Sequence, residues 1–462
     1  MSNKKPLISI ILSAGAGTRM KSDIPKVLHK VLGESMLGWV IRTVEKFKPK
    51  KNIIVIGYKA DSVKKDCEKS PYKNLDFAIQ KKQLGSADAL KAGITKVDSD
   101  FNGNILVLCG DTPLITEKTL TKLLTAHETT QNTVTILTAI TGTPFSYGRI
   151  KRDATGNIGA IIEEKDASDE ERNIQEINSG VYVFNFKALI SAIDQVDCKN
   201  TKNEYYLTDA IKIIYQNSGK IGAYVTHDFS EILGINDKNA LSTANQIKRT
   251  QINSDWIEKG VNIPFPDQVY IEASVKLGKD TTIQPGTTLK GDILIGKACD
   301  IGPNTFINDS IIKNNTKIKF SYVSKAKIGS DVKIGPFSHI RPDSKILDKA
   351  KVGNFTEIKN SIIGKGTKAS HLSYIGDTEL GNSVNIGAGT ITCNYDGKNK
   401  FKTVIEDNCF IGSNTNLVAP VVIGKHSIIA AGSTINKNVP EKSLAIARSH
   451  QKNKPEWRKK NS

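Results

Sequence analysis

The hydrophobic positions follow two different periods, and the change falls near residue 260. In the first half, short runs of Ile, Val and Leu alternate with segments in which apolar residues recur every three or four positions. The runs predict buried strands, and the longer segments predict amphipathic helices. The predicted strands are LISIIL, NIIVIGY, LDFAIQ, NILVLCGD, TVTILTAI and SGVYVFN, and the predicted helices are MLGWVIRTVEKF, SADALKAGITKV and TEKTLTKLLTAHE. This alternation predicts an α/β domain with a mostly parallel sheet.

In the second half an aliphatic residue recurs at every sixth position. Three unbroken series share this period: Leu277, Ile283, Leu289, Ile295, Ile301 and Ile307; Ile328, Ile334, Ile340, Ile346, Val352 and Ile358; and Ile405, Ile411, Leu417, Ile423, Ile429 and Ile435. Glycine often follows the aliphatic residue, which lets a short strand turn a corner without a steric penalty. The period is typical of a parallel β-helix, in which three hexads form one triangular coil and stacked coils bury the aliphatic side chains.

The two halves are joined by a segment with a helical pattern. Leu241, Ala244 and Ile247 lie on one face of a helix that begins near Asn236, and Pro264 and Pro266 end this pattern. We therefore predict an α/β domain over 1–235, a helical arm over 236–260, a β-helix over 261–450 and a mobile basic tail over 451–462.

Composition narrows the class of protein. The 462 residues carry a formal net charge of +18, which is compatible with a polyanionic ligand and equally with a lysine-rich, solvated surface. Aromatic residues are scarce and no Arg-rich block is present, so we expect no nucleic-acid partner. No apolar run has the length of a membrane span, and we expect no membrane partner. Six cysteines without a C-x-x-C pair predict reduced thiols and a cytoplasmic location.

A small-residue loop follows the first predicted strand. It reads LSAGAGTRMKSDIPK and matches neither the P-loop nor the dinucleotide-binding glycine pattern. Ligands of parallel sheets bind beyond the carboxyl ends of the strands, so backbone N–H groups here could line a triphosphate, with Arg19 and Lys26 adding positive charge. Asp111 follows another predicted strand and is a candidate Mg²⁺ ligand, although a turn aspartate before Pro113 is an equal alternative.

Polar residues that interrupt the hexads mark candidate chemistry in the second half. His371 is the obvious general base there, since a histidine can accept a proton near neutral pH, although a lone histidine in a coil is more often a surface residue. Arg341 and Lys359 lie one coil apart, so they stack on one side and repel each other unless an anion sits between them. The segment ITCNYDGKNKFKT lengthens the step from Ile391 to Ile405 and predicts a loop that leaves the coil.

Several motifs resemble one family in order and spacing. LSAGAGTRMKSDIPKVL resembles the L-x-x-G-x-G-T-R-M…P-K signature of sugar-nucleotide pyrophosphorylases, and QKKQLGSADAL, CGDTPLI, SYGRI, IIEEKDA, EINSGVYVF and EYYLTD follow in the family's order. Together with GTKASHLSYIGD and NIGAGTITCNYDGKNKFKT, nearly the whole chain resembles the bacterial bifunctional uridylyltransferase and acetyltransferase that makes UDP-N-acetylglucosamine. The resemblance implies an N-terminal Rossmann-like nucleotidyltransferase domain, a helical arm and a C-terminal left-handed parallel β-helix of hexapeptide repeats.

The resemblance also implies roles in uridylyl transfer from UTP to N-acetylglucosamine-1-phosphate, with pyrophosphate released. Arg19 and Lys26 would be catalytic and hold the triphosphate, and Asp111 and Asn236 would hold Mg²⁺. The implied nucleotide- and sugar-binding residues are Leu12, Ser13, Ala14, Gly15, Lys26, Gln80, Gln83, Gly85, Ser86, Cys109, Gly110, Asp111, Gly148, Glu163, Asn178 and Asn236. The family reads Q-L-G-T-G-H-A where this chain reads Q-L-G-S-A-D-A; Ser86 keeps the hydroxyl of the threonine, whereas Asp88 is not equivalent to the histidine.

For acetyl transfer from acetyl-CoA to glucosamine-1-phosphate, the resemblance implies that His371 is the base. The implied sugar-phosphate-binding residues are Arg341, Lys359, Tyr374, Asn385 and Lys400. The implied acetyl-CoA-binding residues are Ala388, Asn394, Tyr395, Ser413, Ala431 and Arg448. The family is trimeric with acetyl sites between subunits, so a homotrimer is expected. The product would supply peptidoglycan and lipopolysaccharide synthesis.

Two other hypotheses for the function explain fewer of the residues. A nucleotidyltransferase whose β-helix only oligomerises, as in ADP-glucose pyrophosphorylases, does not account for His371 and the Asn394–Tyr395 loop. A non-catalytic relative, like the translation-factor subunits of similar plan, does not account for Arg19, Lys26 and Asp111. A zinc enzyme would need three converging histidines, and their spacing gives no convincing site.

Overall fold

The computed structural model describes residues 5–72, 74–144, 146–455 and 457. It divides into two compact units, an N-terminal unit of residues 1–248 and a C-terminal unit of residues 249–462. Within the predicted tail, residues 456 and 458–462 lie outside the described residues, and its mobility stays a prediction.

The N-terminal unit is built on a sheet whose strands are mostly parallel. Its strands are Leu7–Leu12, Asn52–Ile56, Leu75–Ile79, Asn104–Cys109, Val134–Ile140, Arg149–Arg152, Ile158–Ile162, Glu176–Asn185 and Ile221–Thr226, and Lys30–Val31 pairs separately with Glu34–Ser35. Its helices are Met36–Val44, Ala60–Cys67, Ser86–Ile94, Glu117–Thr129, Asp169–Arg172, Phe186–Ile193 and Leu207–Gln216, with 3-10 turns at Thr18–Met20, Lys26–Leu28, Glu45–Phe47 and Phe229–Ile232. All six predicted strands and all three predicted helices are confirmed.

The order of the strands brings the candidate loops together. Leu7–Leu12 lies at the centre, with Asn52–Ile56 and Asn104–Cys109 parallel to it on either side. The antiparallel strand Glu176–Asn185 comes next, between Asn104–Cys109 and Val134–Ile140. Aliphatic side chains cover both faces of the sheet and pack against the helices. The loops after the two central strands therefore emerge side by side at the carboxyl edge, where ligands of such sheets bind.

A single helix, Lys238–Glu258, follows the N-terminal sheet in the sequence. It matches the predicted helical arm, and the division between the two compact units falls within it, after residue 248. A 3-10 turn at Pro266–Gln268 then precedes the first short strand, in agreement with the helix break predicted there.

The C-terminal unit is a left-handed parallel β-helix, as predicted. Its strands are Tyr270–Ile271, Lys276–Leu277, Thr282–Ile283, Thr288–Lys290, Leu294–Ile295, Asp300–Ile301, Phe306–Asn308, Ile311–Ile312, Lys317–Ile318, Tyr322–Ser324, Lys327–Ile328, Lys333–Ile334, His339–Ile340, Lys345–Ile346, Lys351–Lys359, Ile362–Ile363, Lys368–Gly376, Thr378–Leu380, Asn385–Ile386, Ile391–Cys393, Thr403–Ile405, Phe410–Ile411, Asn416–Val418, Val421–Ile423, Ile428–Ile429, Thr434–Ile435 and Leu444–Ala445. Every strand pairs in parallel with the equivalent strand of a neighbouring coil.

The core of the β-helix is a stack of aliphatic side chains. All residues of the three hexad series are buried except Leu277, which is half-buried. Between the series the step shortens to five residues, as from Ile307 to Ile312 and from Ile358 to Ile363, yet the parallel pairing continues through the short steps. Buried hydroxyls add cross-coil hydrogen bonds, and Thr316 Oγ1 donates to the carbonyl of Gly329 at 2.8 Å.

Candidate functional sites

The carboxyl edge of the N-terminal sheet gathers one cation and two oxygen ligands. The Lys26 ammonium forms an ion pair with Asp111 and donates to Asn236 Oδ1 at 2.8 Å. The backbone N–H of Ile235 donates to the carbonyl of Asp111 at 3.0 Å, which joins the two loops. Residues separated by more than 200 positions in the sequence therefore meet at one point.

The donor set at this point suits a hard divalent cation. Asp111 supplies a carboxylate and Asn236 an amide oxygen, and Mg²⁺ prefers oxygen ligands while leaving further positions to phosphate and water. Among the described residues no cluster of three or more His, Cys, Asp or Glu side chains could hold a metal by itself. Substrate oxygens would therefore have to complete the coordination.

The glycine loop is held in place by backbone contacts. Ser13 and Ala14 are buried, Leu12 is half-buried and Gly15 is exposed. The Ala14 carbonyl accepts from the Tyr58 N–H at 3.1 Å and from Gln83 Nε2 at 3.0 Å.

Close packing explains the small residues of this loop. A Cβ at Gly110 would lie 2.2 Å from the Ser13 hydroxyl, and a Cβ at Gly17, where φ is +63°, would lie 2.4 Å from Lys26 Cβ. Glycine at these two positions therefore lets the loops approach each other closely.

Arg19 lies within this loop on the Thr18–Met20 turn. Its side chain is exposed, and among the described residues it has no ion-pair partner. Its positive charge is therefore available to a ligand, but no contact joins it to the cluster of Lys26, Asp111 and Asn236.

The remaining residues predicted to bind the nucleotide follow the strand Leu75–Ile79. Gln80 is buried, Gln83 and Ser86 are exposed, and Gly85 begins the helix Ser86–Ile94 with φ of +120°. The Ser86 hydroxyl accepts the backbone N–H of Leu207 at 2.9 Å, so it also caps the start of another helix.

The predicted sugar-binding residues lie around an irregularity in the antiparallel strand. The pairing of Glu176–Asn185 with Val134–Ile140 shifts between Asn178 and Tyr182, which bends the backbone there. The Asn178 N–H donates to the Gly148 carbonyl at 2.9 Å, and Asn178 Nδ2 donates to the Tyr182 hydroxyl at 2.7 Å. Gly180, inside the irregularity, accepts from the Cys109 thiol at 3.8 Å, which ties this region to the strand that precedes Asp111.

Burial raises the pKa of two titratable groups in this region. Burial raises the pKa of Glu163, whose carboxylate accepts from the Thr208 hydroxyl at 3.1 Å. Burial likewise raises the pKa of the Cys109 thiol to about 12, so this cysteine is protonated at neutral pH and is not a nucleophile.

In the β-helix, the candidate base is oriented by a residue that the sequence reasoning missed. His371 lies on the strand Lys368–Gly376, directly opposite Asn354 on the preceding coil. Its Nδ1 lies 3.0 Å from Asn354 Oδ1, an acceptor, so Nδ1 carries the proton and donates. Nε2 is therefore left as the nitrogen that can accept a proton.

The predicted acetyl-CoA residues continue from His371 along one corner of the β-helix. Cross-coil hydrogen bonds run from Gly389 N–H to the Leu372 carbonyl, from Asn414 N–H to the Ala388 carbonyl and from Gly432 N–H to the Ser413 carbonyl, at 2.7, 2.7 and 2.8 Å. The register of the paired strands places His371, Ala388, Ser413 and Ala431 at equivalent positions of successive coils, and Arg448 Nη1 donates to the Ala431 carbonyl at 2.9 Å. With about 4.8 Å per coil, the three steps from His371 to Ala431 span about 14 Å, which suits an extended cofactor.

Two of the residues predicted to bind the sugar phosphate, Arg341 and Lys359, are already paired with carboxylates. Arg341 Nη1 lies 2.7 Å from Glu357 Oε1, and Lys359 Nζ lies 3.2 Å from Asp377 Oδ2. The anions expected beside these stacked cations are supplied within the chain, because Glu357 and Asp377 compensate their charges.

Asp377 also links the two sets of predicted ligands. Its carboxylate accepts from Lys359, Asn360 and Asn394. Burial by itself would raise the pKa of Asp377, but these hydrogen bonds outweigh burial and hold the pKa below its usual value.

The long loop after Ile391–Cys393 leaves the coil, as predicted. Tyr395 pairs with Lys400 across the loop and is 60% exposed. Lys400 of this loop and Asp377, the partner of Lys359, line one surface cavity, and the neighbouring Lys359 ammonium lowers the pKa of Lys400. The Tyr374 hydroxyl lies 2.4 Å from the position that a Cβ on Gly376 would occupy, so the tyrosine ring folds back over this glycine.

Asn385 stands apart from the rest of its set. It pairs with Lys368 on the neighbouring coil, and within the described ranges no side-chain hydrogen bond joins it to Arg341, Lys359, Tyr374 or Lys400.

Comparison with known proteins agrees with the predictions for both halves of the chain. The family model described as "Nucleotidyl transferase" matches residues 8–256, and the model described as "Bacterial transferase hexapeptide (six repeats)" matches residues 325–360 and 402–437. "Bifunctional protein GlmU" of Geobacillus sp. is 49% identical over 97% of this chain and 97% of its own length. The protein of the same name from Halalkalibacterium halodurans is 46% identical over 99% of both chains. The chain belongs to the GlmU family.

Membership of the GlmU family carries both predicted activities. The chain is a bifunctional enzyme of UDP-N-acetylglucosamine synthesis, with a uridylyltransferase and a glucosamine-1-phosphate acetyltransferase activity. Among solved structures, the crystal structure of UDP-glucose pyrophosphorylase complexed with UDP-glucose covers 53% of this chain and 99% of its own, with 15% identity and a TM-score of 0.43. Within the described residues, no helix is long and apolar enough to cross a membrane.

Proposed function

We propose that the two reactions of this GlmU protein use two separate sites: the carboxyl edge of the N-terminal sheet for uridylyl transfer, and one corner of the β-helix for acetyl transfer. The observation that supports the first site is the meeting of Lys26, Asp111 and Asn236. The observation that supports the second is the alignment of His371 with the predicted acetyl-CoA residues on successive coils.

For uridylyl transfer, the chain positions two anionic substrates and neutralises their charge. A phosphate oxygen of N-acetylglucosamine-1-phosphate attacks the α-phosphorus of UTP, the bond from this phosphorus to the bridging oxygen breaks, and pyrophosphate leaves. Lys26 and Arg19 bind the triphosphate and stabilise the charge that grows on pyrophosphate. Mg²⁺ held by Asp111 and Asn236 would add positive charge at the phosphates. Gly148, Glu163 and Asn178 hold the sugar.

The Lys26 ammonium has to change partner when nucleotide binds. In the structure it is shared by Asp111 and Asn236, which are the two proposed metal ligands. Transfer of the ammonium to a phosphate would free both oxygens for the cation, so binding of nucleotide and of Mg²⁺ would favour each other.

For acetyl transfer, His371 removes a proton from the amine of glucosamine-1-phosphate. The amine nitrogen attacks the thioester carbonyl of acetyl-CoA, the carbon–sulfur bond breaks, and the coenzyme A thiolate takes up a proton as it leaves. Nε2 is the accepting atom, because Nδ1 donates to Asn354. Arg341 and Lys359 bind the sugar phosphate, which replaces the carboxylates of Glu357 and Asp377 as their anionic partner.

We further propose that the protein is a homotrimer that packs through an apolar corner of the β-helix. This apolar corner consists of Phe320, Phe337, Phe355 and Leu372, which are 38%, 55%, 58% and 62% exposed. The Phe337 ring is tilted against Phe320 at a centroid distance of 5.8 Å and stacks on Phe355 at 5.5 Å, and Leu372 directly follows His371. A contiguous exposed apolar surface of this kind marks a protein contact, and copies of the same chain would cover it beside the acetyl site.

A cytoplasmic location is likewise a proposal. The six cysteines form no disulfide, in keeping with a reducing compartment.

The test is to inactivate the two sites separately. We expect Arg19→Ala to lower uridylyl transfer by about 10²–10³-fold and to spare acetylation, because a charge that stabilises the leaving group is lost. We expect His371→Ala to lower acetylation by about 10²–10⁴-fold and to spare uridylyl transfer. Pyrophosphate release from UTP and free thiol release from acetyl-CoA measure the two reactions.

Matched controls are available for both variants. Arg172→Ala removes an exposed arginine outside the proposed sites, and His426→Ala removes another corner histidine of the β-helix. Loss of both reactions in a folded Arg19→Ala or His371→Ala protein would contradict the two-site proposal.

A further inference from the structure

Asp88, which replaces the histidine of the family motif, makes a direct contact within the proposed nucleotide site. Gln80 Nε2 donates to Asp88 Oδ2 at 2.8 Å and to the Gly85 carbonyl at 3.1 Å. Gln80 is only 6% exposed, so its amide is held in a buried setting. Both N–H groups of the amide are therefore used within the chain.

These two partners fix which end of the Gln80 amide faces them. An ionised carboxylate and a backbone carbonyl only accept hydrogen bonds. If the amide were rotated by half a turn, Gln80 Oε1 would face two acceptors, and Asp88 and Gly85 would both lose their donor. Among the described residues nothing donates to Oε1, so this oxygen is the hydrogen-bonding atom of the amide that remains for a ligand.

The surrounding structure holds Asp88 in place. It lies in the first turn of the helix Ser86–Ile94, where the helix dipole favours a negative charge. Gly85 precedes the helix at φ of +120°, and a Cβ there would lie 2.4 Å from the carbonyl oxygen of Tyr205. The Ala87 N–H donates to that same carbonyl at 2.9 Å. Asp88 and the Gly85 carbonyl are thus held by a second segment of the chain.

We infer that Asp88 is a positioning residue that sets the base selectivity of the uridylyltransferase, by holding the Gln80 amide with its oxygen as the group offered to the nucleobase. Uracil carries an N–H at N3 that can donate to such an oxygen, whereas N3 of cytosine is itself an acceptor. A site that offers only an acceptor at this point favours uracil and leaves cytosine with two facing acceptors. The inference rests on the proposed nucleotide site, in which Gln80 lies against the base.

The experiment compares UTP with CTP as substrate in three full-length proteins: wild type, Asp88→Ala and Asp88→Asn. Without the carboxylate the Gln80 amide can rotate and offer N–H to cytosine, so we expect Asp88→Ala to lower the ratio of kcat/KM for UTP to kcat/KM for CTP by about tenfold. Asp88→Asn keeps an acceptor oxygen at the same position and should restore most of the ratio. Asp61→Ala removes an acid from the first turn of another helix and should leave the ratio unchanged.

The outcomes separate this inference from the proposed function. Urea unfolding of the N-terminal unit, which contains Asp88, shows that each variant is folded. If the wild type discriminates between UTP and CTP but Asp88→Ala lowers both kcat/KM values equally, Asp88 has only a structural role and the inference is overturned. If Gln80→Ala leaves UTP turnover intact in the wild-type background, the proposed placement of the nucleotide fails instead.

Discussion

At the scale of single residues, three of the cations proposed to bind phosphate have a carboxylate partner before a substrate arrives. Lys26 is paired with Asp111, Arg341 with Glu357 and Lys359 with Asp377. A bound phosphate therefore replaces a carboxylate partner and does not have to quench a cluster of bare cations. In the free enzyme the carboxylates keep the cations together, and without them the cations would repel each other.

The sequence predicted the reacting groups better than the residues that orient them. Lys26, Asp111 and His371 stand in recognisable motifs and were given roles, whereas Asn354 was not singled out and Asp377, the last residue of GTKASHLSYIGD, was given no role. Both contacts follow from the coil length, because Asn354 lies 17 residues before His371 and Asp377 lies 17 before Asn394. A search for polar pairs at this spacing would have found them.

Glu163 illustrates a balance between stability and function. Burial raises the pKa of its carboxyl group, so the folded state favours the neutral form more than the unfolded chain does. Its favourable contribution is complete below the unfolded-state pKa and is lost as the pH rises through the folded-state value. At neutral pH the buried carboxylate is therefore a cost to stability.

We expect Glu163→Gln to stabilise the N-terminal unit at pH 7.5 but not at pH 4, since only the ionised form carries the cost. The same variant should lower uridylyl transfer if Glu163 holds the sugar. Urea unfolding at the two pH values, together with pyrophosphate release, measures both effects. Equal stabilisation at both pH values would show that the ionisation of Glu163 is not the cause.

At the scale of elements, the six-residue period predicted the strands of the β-helix but not their continuity. The series stop at Ile307 and Ile358, where a step has five residues, and further five-residue steps run from Ile318 to Val323 and from Ile375 to Leu380. Parallel pairing runs through these points without a break. A corner of a coil can lose one residue while the inward-facing side chain keeps its place, so a strict period misses these strands although the fold contains them.

The glycines that follow the aliphatic residues have a different role from the expected one at several corners. At Gly353 and Gly412 φ is not positive, but a Cβ would lie 1.8 Å from the Ser370 carbonyl oxygen and 2.5 Å from the Ala431 nitrogen. Close approach of the next coil, which a sequence pattern cannot display, therefore excludes a side chain there. The left-handed corner residues are often asparagine, aspartate, lysine or phenylalanine instead.

Neighbouring positions on one short strand provide a test of the aliphatic stack. Ile346 is fully buried between Ile328 and Ile363 of the adjacent coils, whereas Lys345 is exposed. We expect Ile346→Ala to lower the free energy of unfolding of the C-terminal unit by about 2–5 kcal/mol, because the rigid stack cannot fill the cavity. Lys345→Ala is the matched control and should change it by less than about 0.5 kcal/mol. Urea unfolding measures both, and equal effects would contradict a packed core at this position.

At the scale of the whole molecule, the change of hydrophobic period near residue 260 separates the two activities. A parallel sheet brings loops from distant parts of the sequence to one edge, so contacts such as Lys26 with Asn236 cannot be read from local patterns. A β-helix repeats its local geometry, so residues one coil apart are neighbours and much of its site follows from spacing. The sequence was accordingly more informative about contacts in the second half than in the first.

The exposure of the apolar corner bears on the assembly of several copies and not on the fold of one chain. Phe337 is 55% exposed and has φ of +56°, a conformation that aspartate tolerates better than phenylalanine does. Phe337→Asp should therefore leave each chain folded while placing a charge in the proposed contact between copies. We expect sedimentation velocity to show a shift from trimer to monomer, with acetylation lost and uridylyl transfer retained. Ile140→Asp, at an exposed apolar position of the N-terminal sheet, is the control and should leave the trimer intact. A Phe337→Asp protein that remained trimeric would place the contact between copies elsewhere, and the acetyl site beside His371 would then have to be complete within one chain.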